Sequence, residues 1–148
     1  MKIIDLDNQT DTPIPVDLLE KIAQSLTTRE IELIVTDNKT IQMLNKEYRA
    51  KDKATDVLSF PIDSDFMEES MPGIPLGSIV ISADLVKERS AEFGHRIEDE
   101  LSLLFIHGLL HLLGFDHEID NGEMRNREKH IIETFALPSS LIVRTEEY

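Results

Sequence analysis

Short runs of apolar residues, some of them alternating with polar ones, predict four β-strands along this chain. They lie at residues 2–6 (KIIDL), 31–35, 56–60 (DVLSF) and 78–82 (SIVIS). In the second run Ile31, Leu33 and Val35 occupy every other position, which is the period of a strand with one buried face. The stretch at 61–77, rich in acid, proline and glycine, predicts a loop.

Apolar residues three or four positions apart predict helices between these strands. A first helix follows Pro15, which suits a first helical turn. Asp37 or Asn38 can cap a second helix, and Ser82 can cap a third that runs to about Phe93. The apolar stripes of the first two helices are Val16, Leu19, Ala23 and Leu26, and then Ile41, Leu44 and Tyr48.

Two further helices are predicted towards the end of the chain. The stretch from Glu98 to Leu113 is apolar on nearly every side, so a helix there is buried. A last helix extends from about Asp120 to Phe135 and turns Met124, Ile131, Ile132 and Phe135 inward.

Together these elements predict an α+β fold, with a small mixed β-sheet of about four strands and helices packed on it. The central helix is buried. The length of the chain favours one domain, residues 1–148. Because the strands at 31–35 and 56–60 flank one helix, they are predicted to form a β-α-β unit and to run parallel.

Composition and charge narrow the class of protein. The formal net charge of −14 disfavours binding to a polyanion by bulk electrostatics, and the absence of cysteine excludes disulfides and thiolate metal sites. No apolar run is long enough to span a bilayer, and residues 1–13 lack the features of a secretory signal. We therefore expect a cytoplasmic protein with no membrane partner.

The acidity is interrupted by a basic segment at residues 39–53, where five cations outweigh Glu47 and Asp52. A run of this kind is usually a solvated helix face. If the chain contacts a phosphate backbone, this segment is where the contact is expected. Its cations are Lys39, Lys46, Arg49, Lys51 and Lys53.

The sequence HGLLHLLGFDH at 107–117 predicts a metal site. His107 and His111 are one helical turn apart, Gly114 can reverse the chain, and the reversal returns His117 towards them. Three histidines without cysteine favour an open, catalytic site with one zinc ion rather than a closed structural site. Imidazole also suits nickel, copper and iron.

Other polar residues near this stretch are less informative. His95 and His130 have no such partners and are predicted at the surface. Glu100 lies about 10 Å along the helix from His107, which is too far to bind the same metal ion directly. It is expected either to support the metal site from behind its ligands or to provide a negative charge at the start of the helix. Asp116 either orients a ligand imidazole or belongs to a turn.

Gly108 stands where the zinc-protease signature H-E-x-x-H-x-x-G-x-x-H has its catalytic glutamate. A peptidase would need a base from elsewhere in the chain. Cleavage of a phosphodiester makes a different demand, because a metal ion and an arginine can supply much of the stabilisation of the charged transition state. The missing glutamate therefore favours a phosphoester substrate.

Four stretches resemble the YbeY family of bacterial endoribonucleases. HGLLHLLGFDH is similar to its H-G-x-L-H-L-x-G-[YF]-D-H signature, and residues 44–60 are similar to its N-x-x-Y-R-x-x-x-x-x-T-D-V-L-S-F block. Residues 76–82 and 124–132 resemble its L-G-D-[IL]-V-I-S strand and the M-x-x-x-E pattern of its last helix. The resemblance covers roughly residues 30–135, and Ser78 replaces the aspartate of the strand motif.

The resemblance implies a zincin-like fold in which His107, His111 and His117 bind one zinc ion and Arg49 serves RNA cleavage. It implies action on single-stranded RNA, in maturation of the 3′ end of small-subunit ribosomal RNA and in ribosome quality control. Small-subunit ribosomal proteins and an assembly GTPase are the further partners implied. Two alternatives remain, a peptidase-like metallohydrolase and a non-catalytic ribosome-assembly factor stabilised by zinc.

Overall fold

The protein was analysed as a computed structural model, which describes residues 2–62 and 74–141. Its strands and helices follow the predicted order, with bounds shifted by one to three residues in most cases. The strands are β1 (Ile4–Asn8), β2 (Ile31–Thr36), β3 (Val57–Pro61) and β4 (Gly77–Ser82). The helices are α1 (Val16–Leu26), α2 (Asn38–Arg49), α3 (Ala83–Phe93), α4 (Ile97–Leu112) and α5 (Glu123–Thr134).

The four strands form one mixed sheet in the order β1-β2-β4-β3, which confirms the predicted α+β fold. β1 and β2 pair in parallel, as do β2 and β4, whereas β3 pairs with β4 in the antiparallel direction. Central β4 is buried on both faces.

The predicted parallel β-α-β unit of residues 31–60 is wrong. β2 ends at Thr36, which pairs with Ser82, and β3 begins at Val57, which pairs with Ile81. The chain therefore re-enters the sheet at the same end of the strands at which it left β2, so β3 runs opposite to β2. The parallel neighbour of β2 is β4, which comes later in the sequence.

Helix α4 is buried along almost its whole length, as predicted, and packs against β3 and β4. Helices α1, α3 and α5 surround it on the same side of the sheet. Helix α2 covers the opposite face, where Ile41 packs with Leu58 of β3 and Val80 of β4. Two layers of helices thus enclose the sheet, and β3 is its edge next to the end of α2.

Side-chain caps fix the starts of the helices near the site. Asp37 accepts a hydrogen bond from Thr40 N at 2.8 Å, and Ser82 Oγ accepts one from Leu85 N at 3.3 Å, which confirms both predicted caps. The last helix begins later than predicted, at Glu123. Asp120 lies outside it and accepts hydrogen bonds from the backbone N–H groups of Gly122 and Met124.

The loop predicted at 61–77 falls mostly on residues 63–73, which lie outside the described residues. Arg29 holds the segment that leads into β4, because its guanidinium donates to the carbonyl oxygens of Ile74 and Pro75. None of the helices in 2–62 and 74–141 has the length and apolar character needed to cross a membrane.

Candidate metal centre

The three histidines of 107–117 come together at the end of helix α4. His107 and His111 occupy its last turns, and the chain then reverses at Gly114, which has a left-handed φ of 99°. Gly114 N donates to His111 O and Phe115 N donates to Leu110 O, each at 3.0 Å, which closes the helix end. His117 returns towards the helix, as the glycine in the sequence predicts.

Ring nitrogens of His107, His111 and His117 all lie within 4.8 Å of one another, so these side chains could hold one metal ion. The Nε2 atoms of His107 and His111 are 3.1 Å apart. Two nitrogens bound tetrahedrally to one ion at about 2.0–2.1 Å lie about 3.3 Å from each other. The donor set and its spacing therefore fit a zinc-sized ion.

Burial and crowding favour the neutral form of the His111 ring. Burial lowers the pKa of His111 below its usual 6.5, and the nearby rings of His107 and His117 lower it further. A metal ion binds only the deprotonated nitrogen of imidazole. The His111 ring is thus held in the state that a metal requires.

A carboxylate behind the cluster fixes one ring, and it was assigned no role from the sequence. Glu128 Oε1 on α5 lies 2.8 Å from His107 Nδ1, and both side chains are buried. An ionised carboxylate only accepts hydrogen bonds, so Nδ1–H donates and Nε2 faces His111. The signal was present in the inward stripe of α5, because Glu128 lies between Met124 and Ile132.

Arg49 and the three histidines line the same cleft, which has a volume of about 440 Å³. Helix α2 ends at Arg49, and Lys51 follows it into the cleft wall. Acidic side chains line the cleft as well, so the cleft carries charges of both signs. The remaining lining residues are Thr55, Asp56, Val57, Ser59, Pro61, Asp116 and Glu118.

Gly108 faces the sheet rather than the cleft floor. A Cβ atom at this position would lie 2.8 Å from Ile79 Cγ2 and 3.1 Å from Ser59 Oγ. Ser59 Oγ also donates to Gly108 O at 3.1 Å, which joins β3 to α4. The sheet therefore fills the position of the protease glutamate, and a side chain larger than that of glycine does not fit there.

The predicted surface position of His95 is wrong, whereas His130 is exposed as predicted. The side chain of His95 is only 2% exposed, and its Nε2 lies 2.9 Å from Glu100 Oε1 in the first turn of α4. His95 is covered because α4 begins directly after it and brings Glu100 over the ring. Glu100 thus contacts His95, and neither residue lines the cleft.

Ser78 and Asp116 are located on different sides of the protein. Ser78 Oγ donates to Glu32 Oε1 at 2.8 Å on the face of the sheet that α2 covers, away from the histidines. Asp116 Oδ1 accepts a hydrogen bond from Glu118 N at 3.0 Å and lines the cleft beside His117. Of the two roles expected for Asp116, the turn is therefore present, and the orienting of a ligand imidazole stays a prediction.

Comparison with known families gives one match over most of the chain. The family model described as endoribonuclease YbeY matches residues 5–136. A relative from Sulfurovum sp. named endoribonuclease YbeY is 65% identical over 97% of this chain and 98% of its own length. One of the same name from Nautilia profundicola is 57% identical over 98% of this chain and 100% of its own.

A solved structure shares the fold. The solution structure of a protein from Thermotoga maritima is 30% identical, with a TM-score of 0.59. The match covers 89% of this chain and 88% of that one.

Proposed function

The chain belongs to the endoribonuclease YbeY family, and we propose that it is a zinc-dependent endoribonuclease that cleaves single-stranded RNA. Its proposed setting is the cytoplasm, in maturation of the 3′ end of small-subunit ribosomal RNA and in ribosome quality control. Small-subunit ribosomal proteins and an assembly GTPase are proposed as further partners. Residues 1–148 are proposed to act as one catalytic domain. The observation that carries the chemistry is that Arg49 and the histidine cluster line one cleft.

His107, His111 and His117 are the proposed ligands of one zinc ion. Three imidazole donors leave a coordination position open, as catalytic zinc sites do. Bound zinc would act as a Lewis acid towards the phosphodiester or the attacking oxygen. Glu128 supports the site because its contact with His107 Nδ1 leaves the Nε2 atom of that ring for the metal.

Arg49 is the proposed catalytic cation. Its guanidinium can hold two phosphate oxygens in one plane and stays charged at every working pH. Within residues 2–62 and 74–141 it makes no ion pair, so its charge is available to a ligand in the cleft. Charge that builds up on the phosphate during cleavage is stabilised by such a fixed cation.

The peptidase alternative is disfavoured by the packing of Gly108. A glutamate base at this position would have to pass through Ile79 and Ser59, whose nearest atoms lie only 2.8 and 3.1 Å from a Cβ atom added there. The acidic residues that do line the cleft are Asp56, Asp116 and Glu118. None of them stands at the position of the catalytic glutamate in the zinc-protease signature.

Arg49→Ala, with Arg127→Ala as control, tests the proposal. Arg127 is an exposed arginine on α5 and does not line the cleft. On zinc-loaded protein and single-stranded RNA, Arg49→Ala is expected to lower kcat/KM about 100-fold or more, with zinc content unchanged. Arg127→Ala should cleave RNA as the wild type does.

Two other results would point elsewhere. A wild-type protein that binds zinc and supports ribosome assembly, but cleaves no RNA, would favour the non-catalytic assembly factor. In that case Arg49→Ala should keep both zinc and the assembly role. Zinc-dependent cleavage that survives Arg49→Ala unchanged would remove Arg49 from the proposed mechanism and leave the nuclease activity standing.

A further inference from the structure

We propose that the exposed ring of Tyr48 is a stacking surface for an unpaired base of the RNA, beside a phosphate held by Arg49. This inference rests on the proposed function and adds a base-binding subsite to it. It also gives a structural basis for preferring single-stranded RNA, since a base within a duplex is already stacked on its neighbours.

Tyr48 is far more exposed than its place in the sequence predicts. The apolar stripe of α2 predicts that it faces inward with Ile41, yet Tyr48 is 63% exposed whereas Ile41 is buried. Its ring meets Phe60 of β3 with centroids 5.4 Å apart and planes at 68°. This edge contact holds the ring in place and leaves much of its surface open to a ligand.

The Tyr48 ring lies across edge strand β3 from the cleft of the metal centre. Tyr48 precedes Arg49, which lines that cleft, and Phe60 lies between Ser59 and Pro61, which also line it. Successive residues of a strand point to opposite faces, so Phe60 and Tyr48 lie on the other side of edge strand β3. An RNA chain that leaves the cleft past Arg49 therefore meets the ring of Tyr48 as it passes the edge of the sheet.

The charge around Tyr48 suits a phosphate backbone. In the described part of the chain Arg49, Lys51 and Lys53 make no ion pair, whereas Lys46 lies 3.8 Å from Asp52 with both side chains exposed. Unneutralised cations next to an exposed aromatic ring are the combination that single-strand-binding proteins use. The net charge of −14 confines this attraction to the neighbourhood of the basic segment.

Binding to a short single-stranded RNA tests the inference. The RNA carries 2′-O-methyl groups and a fluorescent label, and its anisotropy is followed with zinc-loaded wild type, Tyr48→Ala and Tyr48→Phe. Loss of the ring is expected to weaken binding roughly 5- to 100-fold, whereas Tyr48→Phe keeps the ring and should bind as the wild type does. Met43→Ala is the matched control, because Met43 is also 63% exposed on α2.

A salt titration and an altered RNA separate stacking from charge. Arg49→Ala should lower the slope of log affinity against log salt by about 1, whereas Tyr48→Ala should leave that slope unchanged. An RNA with an abasic nucleotide at the stacked position should bind wild type and Tyr48→Ala equally. That equality would assign the effect of Tyr48 to one base.

Three results would overturn the inference, and they are distinguishable. If Tyr48→Ala binds as the wild type does while Arg49→Ala binds more weakly, the base subsite is absent and the proposed function stands. If zinc-loaded wild type neither binds nor cleaves single-stranded RNA, both fail. A loss in Tyr48→Ala that Met43→Ala shares would also contradict a specific role for the ring.

Discussion

Glu128 Oε1 lies 2.8 Å from His107 Nδ1, and this contact joins helix α5 to the histidine cluster. Glu128 is 1% exposed, so it is among the most buried carboxyl-bearing side chains in residues 2–62 and 74–141. A carboxylate is placed in such surroundings only with a strong partner. The contact fixes the ring of His107 and leaves its Nε2 atom beside that of His111.

Glu128→Gln is therefore expected to lower the affinity for zinc about 10- to 100-fold. The amide keeps the size and an acceptor oxygen, but it lacks the negative charge that makes the imidazole a better donor to the metal. Competition with a chromophoric chelator measures the affinity directly, without recourse to enzyme activity.

Glu133→Gln is the matched control, because it makes the same change of charge at an exposed position of α5. Its zinc affinity should equal that of the wild type. Unfolding of the metal-free proteins checks that Glu128→Gln remains folded. Equal zinc affinities for Glu128→Gln and the wild type would mean that the carboxylate has a role in the fold and none in the metal site.

Removal of one ring of the cluster should remove the metal. Protein purified without added metal is expected to hold about one ion per chain, and His111→Ala to hold almost none, because two imidazoles bind zinc far more weakly than three. Elemental mass spectrometry gives the stoichiometry. His130→Ala, which removes an exposed histidine from α5, should retain the ion. A wild-type protein that takes up no zinc would leave the cluster without a metal role.

Gly108→Ala is expected to destabilise the fold by about 1–3 kcal/mol, although alanine is usually the better residue in a helix. The added Cβ would lie 2.8 Å from Ile79 Cγ2, so α4 or β4 has to shift. Denaturant unfolding measures the difference. In an Ile79→Ala background the nearest clashing atom is gone and only Ser59 Oγ at 3.1 Å remains close, so Gly108→Ala should cost clearly less. Destabilisation of equal size in both backgrounds would contradict this account.

The sequence predicted the elements that have a strong local period. Helix α4 and strand β4 are buried on all sides, and their continuous apolar runs made them easy to locate. Asp37 and Ser82 were identified as caps because a cap is a local hydrogen bond. The histidine cluster was predicted for the same reason, since a helical turn and a glycine reversal determine the spacing of its three rings.

The features that the sequence did not reveal depend on contacts between segments that are distant along the chain. The direction of β3 is set by the end of the strands at which the chain re-enters the sheet, and no pattern in residues 56–60 encodes that end. His95 is covered by Glu100 and lies 3.5 Å from Ser140, a residue 45 positions away. Glu128 acquires its partner only when α5 packs on α4.

The pH dependence of stability should depend in part on Glu20, whose carboxylate holds the start of β1. It accepts hydrogen bonds from the backbone N–H groups of Ile3 and Ile4 and from Gln24 Nε2. Burial raises the pKa of Glu20, but these hydrogen bonds outweigh burial and bring the pKa below its usual 4.5. The stabilisation is thus complete well above pH 4.5 and is lost as the pH falls through the lower pKa of the folded state.

Glu20→Gln is expected to be less stable than the wild type by about 1 kcal/mol near pH 7, because hydrogen bonds to a charged acceptor are stronger than those to an amide. Since glutamine does not titrate, the difference should shrink as the pH falls below 4.5 and through the lowered pKa of Glu20 in the folded state. Denaturant unfolding at several pH values measures it, with exposed Glu30→Gln as the control. A difference that stays constant or grows towards low pH would show that the carboxylate is not the stabilising form.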